Sequence, residues 1–323
     1  MAASRILVIR LGSMGDVIHA LPAVASLKRS FPGSALDWVI RPQWARLLEG
    51  NPYVDAVIPF DRRMGRLGES LRLLRQEHYD VAVDFQGLMQ SALVARAARA
   101  DRVVGLGFRQ ARESLAALFY STRVHTTAVH RVDSCLELAV AAGAASQARE
   151  FPLPPGTPEG VLPEGKFVLA CPRAGWEAKQ WPRESYERLA VLLAEFGMPL
   201  VVNGAPESAA WLEGIRGAKV HLSGLPGLIH ATRRAHAIVG VDSGPLHLAA
   251  ALAKPGVAIF GPTDPASHGP YGGTIRVLRA LGAVASYKRT KGIDPSMRAI
   301  TPAMILEALG PVLSGAAAEK RTA

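Results

Sequence analysis

The stretch 237–261 leaves the chain little choice of local fold. Residues 237–241 form an apolar run of strand length, and Asp242-Ser243-Gly244-Pro245 is a tight turn. An apolar, alanine-rich segment of helix length follows over 246–253, Lys254-Pro255-Gly256 breaks it, and 257–261 reads as a second buried strand. Strand, glycine turn, helix, breaker and strand make a βαβ unit. Ser243 is placed to cap the helix, and Pro245 falls in its first turn, where proline is tolerated. The N–H groups at such a start, with the helix dipole behind them, form an anion site. A ligand bearing a phosphate is therefore expected there.

The same alternation runs along the rest of the chain. A first strand over 6–11 leads into Gly12-Ser13-Met14-Gly15-Asp16, and Ile18, Leu21, Val24 and Leu27 then mark a helix to Ser30. Pro22 is expected to kink or restart that helix. Strands follow over 36–40, 56–60, 81–85 and 102–106, with helices over 44–49, 67–76 and 91–99 and further helices around 115–119 and 136–142. A proline- and glycine-rich stretch, FPLPPGTPEGVLPEG, then reads as a linker over 151–165. Beyond it come a strand over 167–171, a helix over 185–196, a strand over 199–203, a helix over 209–214 and a strand over 219–222. A last helix starts after Thr301-Pro302. The expected organisation is an N-terminal domain over 1–150, a C-terminal domain over 166–313 and a disordered tail over 314–323. Alternating βαβα on both sides of one linker means an α/β protein with two doubly wound parallel sheets. Ligands are expected at the carboxyl ends of the strands, in a cleft between the domains.

With 323 residues, 49% of them apolar and only 20% charged, the chain can bury a sizeable core. Cys135 and Cys171 lie in apolar runs without ligand spacing, which predicts buried thiols in a reducing compartment. Arg10 and Asp16 interrupt the apolar run that a signal peptide would need. No apolar run reaches the ~18 residues that span a bilayer. A soluble, cytoplasmic chain is expected. The net charge is +10, carried in the N-terminal half almost entirely by arginine, which suits planar capture of carboxylate or phosphate. A nucleic-acid partner is disfavoured, because no interleaved aromatic motif, recognition helix or zinc spacing accompanies the charge.

Four groups of residues carry candidate chemistry. Asp16, at a helix start, is either a cap or, facing a cleft, a general base. Lys179, in the loop after the first strand of the second domain, is placed to neutralise a phosphate, with Arg173 a competing candidate. Asp242, Ser243, Gly244 and His247 together suggest a ribose-and-diphosphate pocket. Arg62, Arg63 and Arg66, with Arg72 and Arg75 behind them and Arg112 and Arg131 later, are either a solvated face or the seat of an anionic ligand. No D-x-D, H-E-x-x-H or cysteine pair is present, which disfavours metal-bridged diphosphate chemistry, and no G-x-S-x-G elbow is found.

The segments RILVIRLGSMGDVIHALPA, DFQGLMQSAL, ARESLAALFY, AKQWP and VDSGPLHLAAALAKP with GPTDP resemble the heptosyltransferases of glycosyltransferase family nine. FPGSALDWV and ARESLAALFY bring the type I branch nearest. The resemblance implies a GT-B fold, two Rossmann-like domains facing an interdomain cleft. It also implies inverting transfer without metal or other cofactor, from ADP-L-glycero-β-D-manno-heptose to the first Kdo of Kdo2-lipid A in lipopolysaccharide core synthesis. Asp16 matches the family's base and Lys179 its phosphate lysine. The donor contacts carried over are Ser13, Gly15, Arg173, Lys179, Glu207, Asp242, Ser243, Gly244 and His247. Those to the acceptor are Arg62, Arg63, Arg66, Arg112 and Arg131. Two positions depart from the pattern: Glu207 falls one place early for the family's ribose acid, and Arg173 stands where glycine is common. A monomer acting peripherally on the inner leaflet of the cytoplasmic membrane is the expected setting. The alternatives are a type II or other family-nine transferase and, in a different class, a nucleotide-sugar epimerase of the same fold.

Overall fold

The computed structural model describes residues 4–61, 63, 66–286 and 290–314. The chain divides into two compact units between Pro154 and Pro155.

The first unit runs β1 (Arg5–Ile9), α1 (Met14–Ser30), β2 (Ala35–Ile40), β3 (Ala56–Pro59), α2 (Leu67–Leu74), β4 (Val81–Asp84), α3 (Met89–Ala97), β5 (Arg102–Leu106), β6 (Thr122–Val124) and α4 (Arg131–Ala142). Its six strands are all parallel, in the order β3-β2-β1-β4-β5-β6. β1 sits centrally, with Ile6 opposite Leu36 on one side and Val81 on the other. Buried on both faces, such a strand must read as a near-continuous apolar run, and RILVI does. Leu7, Ile9, Val39, Ala82 and Val103 share one core with Tyr79 and Tyr120.

The second unit runs β7 (Val168–Cys171), α5 (Arg183–Ala194), β8 (Leu200–Gly204), α6 (Ala209–Glu213), β9 (Lys219–Leu222), α7 (Leu225–Arg234), β10 (Ala237–Val241), α8 (Gly244–Ala251), β11 (Gly256–Phe260), α9 (Pro265–His268), β12 (Ile275–Arg279), α10 (Pro295–Arg298) and α11 (Pro302–Leu313). Its strand order, β12-β11-β10-β7-β8-β9, is that of the first unit read from the other edge. Its sheet is buried on both faces, by one core around Trp181, Tyr186 and Leu309 and another around Phe167, Leu246 and Phe260. In each unit the chain reverses direction across the sheet between the first strand and the fourth: β1 and β4, then β7 and β10. Ligands of doubly wound sheets bind at the carboxyl ends of such strand pairs.

Several local expectations change. α1 runs unbroken through Pro22, whose missing N–H costs the buried helix only one bond. The segments expected as helices over 44–49 and 115–119 are 3₁₀ helices, Pro42–Leu48 and Ser114–Phe119. β6, β12 and α7 were not foreseen. The two strands lie at sheet edges, where three residues or an alternating IRVLR suffice and no long apolar run is needed. The linker stretch is hydrogen-bonded to the flanking structure. Asn51 Nδ2 donates to the Pro152 carbonyl, whereas Glu159 accepts from His221 Nε2 through its carbonyl and from the Gly224 N–H through its carboxylate. Of the expected tail, 315–323 lies outside the described residues.

Candidate active site

In the first unit the β1/β4 carboxyl ends hold Asp16. Gly12 turns the chain off β1 with φ +141°, and the indole of Trp44 fills the space where a Cβ would stand. Ser13 is the N-cap of α1 and Asp16 its third helical residue, with Gly15 buried between them. The Asp16 carboxylate reaches back to that cap: Oδ2 accepts from the Ser13 N–H at 2.9 Å and from Ser13 Oγ at 3.1 Å. Its other oxygen, Oδ1, lies 2.5 Å from Arg10 Nη2, and Arg112 Nη1 approaches Oδ2 at 4.0 Å. The side chain keeps 20% of its surface exposed. Burial pushes its carboxyl up, but Arg10, the two Ser13 donors and Arg112 outweigh burial and hold it below the usual carboxylate range. Asp16 is thus both the cap and an accessible, ionised carboxylate.

Arg10 is itself fixed. Its guanidinium is buried and donates to the carbonyls of Phe85 and Asp16. The loop after β4 that supplies Phe85 is in turn built on Asp84. That buried carboxylate accepts from the N–H groups of Gln86 and Gly87, from Ser91 Oγ at 2.8 Å and from Tyr120 Oη at 2.7 Å. Gln86 Oε1 closes the frame by accepting the Leu11 N–H. Sequence reasoning used Arg10 only against a signal peptide. The signal was available, because a charge at the end of a buried strand must find a partner.

The arginines expected at the acceptor separate. Arg112 reaches Asp16. Arg131 opens α4, next to His130, whose ring lies edge-on to His19, one turn beyond Asp16 on α1. Arg10, Asp16 and Arg131 all act on Cys135 of α4, whose thiol burial pushes up to about 11. Arg63 and Arg66 are exposed after β3, each 3.9 Å from Asp61, and the structure does not bring them to Asp16. Arg62 lies outside the described residues.

In the second unit Lys179 closes a 3₁₀ turn, Glu177–Lys179, after β7, and Asp242 follows β10. Lys179 Nζ donates to Asp242 Oδ2 at 2.5 Å, and His247 Nε2 stands 3.6 Å from Oδ1. Burial opposes ionisation of Asp242, yet His247 and Lys179 hold its carboxyl far below the usual range. The Trp176 ring lies 4.3 Å from Lys179 Nζ, a cation–π contact that fixes the ammonium from a second side.

Ser243 occupies the N-cap of α8 but does not cap it by its side chain, contrary to expectation. The second helical residue is Pro245, which has no N–H, and the Leu246 N–H is taken by the Ser243 carbonyl at 3.1 Å. Ser243 Oγ is therefore buried without a hydrogen-bond partner among the described residues, as is Thr263 Oγ1 after β11. Buried hydroxyls without partners are costly, and these two follow the neighbouring strands β10 and β11, at whose carboxyl ends doubly wound sheets take ligands. Arg173 is exposed, with its guanidinium 5.4 Å from the Trp211 ring of α6, and Glu207 is exposed in the 3₁₀ turn Pro206–Ser208 after β8. Among the described residues, no group of three or more His, Cys, Asp or Glu side chains is arranged to hold a metal ion.

Residues 65–296 match the family model of glycosyltransferase family 9 (heptosyltransferase). The chain is 34% identical over 297 residues to lipopolysaccharide heptosyltransferase 1 of Pseudomonas aeruginosa, covering 83% of this chain and 81% of the relative. It is 30% identical to lipopolysaccharide heptosyltransferase 2 of Salmonella typhimurium, covering 96% and 99%. Among solved structures, Escherichia coli heptosyltransferase WaaC with ADP-2-deoxy-2-fluoro heptose superposes with a TM-score of 0.76 at 28% identity, covering 95% of this chain and 99% of that one.

Proposed function

The chain belongs to glycosyltransferase family 9, the heptosyltransferases, and on that premise we propose that it transfers heptose from ADP-L-glycero-β-D-manno-heptose to the first Kdo of Kdo2-lipid A, with inversion and without metal. The observation that carries the reading is the Asp16 carboxylate, ionised by Arg10 and partly open at the carboxyl end of β1. Asp16 takes the proton of the acceptor hydroxyl as that oxygen bonds to the anomeric carbon. A carboxylate held this acidic is a weak base, so the proton leaves late, once the attacking oxygen has become acidic by forming its new bond. The bond from the anomeric carbon to the ADP oxygen breaks on the opposite face, which inverts the configuration.

Negative charge then grows on departing ADP. Lys179, the N–H groups of Ser243 and Gly244 and the α8 dipole supply positive potential for it, the role a D-x-D-bound metal fills in other transferases. Asp242 and Trp176 hold Lys179, and the Ser243 and Thr263 hydroxyls are the remaining donors. ADP-heptose as donor is carried over from the Escherichia coli structure, and the Kdo acceptor from the resemblance to the type I enzymes. Arg112 and Arg131 are the acceptor-side cations nearest this chemistry, with Arg62, Arg63 and Arg66 as a second group. The setting proposed is a monomer at the cytoplasmic face of the inner membrane. No helix among the described residues is long and apolar enough to cross a membrane.

ADP release from ADP-heptose in EDTA, with and without Kdo2-lipid A, tests the reading. Acceptor-dependent release that survives EDTA is the expected result. Release only with heptosylated core would move the chain to the type II reaction, which the coverage of the Salmonella relative keeps open. No release with either acceptor would overturn the donor assignment.

A further inference from the structure

The 3₁₀ helix Ser114–Phe119 turns the wrong residues outward for a solvated loop. At three residues per turn, side chains three apart stand in line. Leu115 and Leu118 accordingly share one side and are 61% and 59% exposed, while Ala116 and Ala117 are fully buried behind them. Arg123 Nε donates to the Ala117 carbonyl at 2.7 Å, and its guanidinium lies 5.2 Å from the ring of Phe108, itself 41% exposed. Phe108 is thereby fastened to the flank of the same helix. Arg109 and Arg112 are exposed beside it. The one acid in the segment, Glu113, accepts the Met89 N–H at the start of α3 at 2.6 Å, so its charge is spent on a helix terminus.

We propose that Phe108, Leu115 and Leu118, framed by Arg109 and Arg123, form a docking surface for an anionic lipid bilayer. Apolar side chains standing in line among arginines match a surface of anionic headgroups over acyl chains: the leucines and phenylalanine enter, and the guanidinium groups stay at headgroup level. Arg112, at the start of the same segment, reaches Asp16 at 4.0 Å, so the surface is continuous with the acceptor-side carboxylate. This deepens the reading above, on which it rests, because a lipid-linked acceptor must be met where it lies.

The test uses the full chain and vesicles of phosphatidylcholine, alone or mixed with phosphatidylglycerol. Wild type is expected to float with the mixed vesicles and to be released by salt. Leu115→Ser/Leu118→Ser is expected to lose about 10-fold or more in vesicle partition. Arg109→Ser/Arg123→Ser should lose the preference for anionic lipid. In both variants, ADP release with a soluble, deacylated acceptor should match wild type, which also shows that the fold and site are intact. Wild type that ignores the vesicles, or a leucine variant that floats as wild type does, overturns the proposal. So does a wild-type dimer that the leucine variant dissolves, since a second copy would then cover these residues. Vesicle binding through these residues with no ADP release from any acceptor would sink the transferase reading and leave the surface assignment standing.

Discussion

Arg10 Nη2 lies 2.5 Å from Asp16 Oδ1, while the same guanidinium is tied to the Phe85 carbonyl on the neighbouring strand end. The cation cannot follow Asp16 if the carboxylate moves, so charge and position are set together. Replacing it by methionine leaves burial as the larger influence on Asp16. For Arg10→Met the carboxyl should therefore rise from its depressed value, and the acid limb of kcat/KM should move to higher pH. A pH–rate profile measures it. An acid limb that stays in place would mean that another group governs it.

Asp16→Asn keeps an acceptor for the Ser13 N–H and so should preserve the start of α1. It removes the proposed base, and kcat is expected to fall about 10²–10⁴-fold. The donor KM should hardly change, since Asp16 belongs to the first unit and the proposed diphosphate contacts to the second. Steady-state kinetics, with far-ultraviolet circular dichroism as the check on folding, separate a lost base from a lost cap. A variant with nearly full kcat would leave Asp16 with the cap alone.

Lys179 and Asp242 make a stability prediction with a defined pH window. Asp242→Asn leaves the Lys179 ammonium half-buried without its counter-ion, at a cost of about 3 kcal/mol at neutral pH. The folded carboxyl lies below its ordinary value of 3.8. A depressed carboxyl contributes stability that is fully present above the unfolded value and is lost as pH falls through the folded one. Urea midpoints of wild type and variant should therefore stay apart from neutral pH down to about 4 and converge only below it. Convergence at neutral pH would show that the pair adds nothing.

How much of this was legible in the sequence depended on which residues act locally. The βαβ units were visible because β1, β4, β7, β10 and β11 are buried on both faces and must be apolar throughout. The edge strands β6 and β12 carry no such demand. Asp16, Lys179, Asp242 and Gly244 stood out because strand, glycine and helix start are contiguous in the chain. Arg10 on Asp16, Asp84 under the 85–87 loop and Trp176 on Lys179 were not legible as roles. A charge at the end of a buried strand signals that it needs a partner, but not which one. Asp16 and Trp176 are near their partners in sequence and are brought round by loop geometry. The ties of Arg10 to the Phe85 carbonyl and of Asp84 to Tyr120 depend on which strand ends lie side by side. The failed cap at Ser243 was legible in part: a proline two places on removes one of the two donors that a capping hydroxyl uses, but that the Ser243 carbonyl takes the other was not.

Gly12 supports the same site by shape alone. Its φ of +141° is one that side-chain-bearing residues rarely adopt, and a Cβ there would lie 2.6 Å from Trp44 Nε1. Gly12→Ala must therefore strain the backbone, displace the indole, or both, at a cost of about 2–4 kcal/mol. Because Gly12 is covalently next to Ser13, the strain falls on the N–H that Asp16 accepts, and kcat should drop as well. Gly33→Ala is the matching control, since it has open space around its Cβ and no positive φ, and it should be neutral or stabilising by up to ~1 kcal/mol. Urea denaturation and kinetics on the two variants decide the point. If Gly12→Ala matches Gly33→Ala in both, the turn after β1 tolerates a side chain, and the hold of Ser13 on Asp16 does not depend on the glycine.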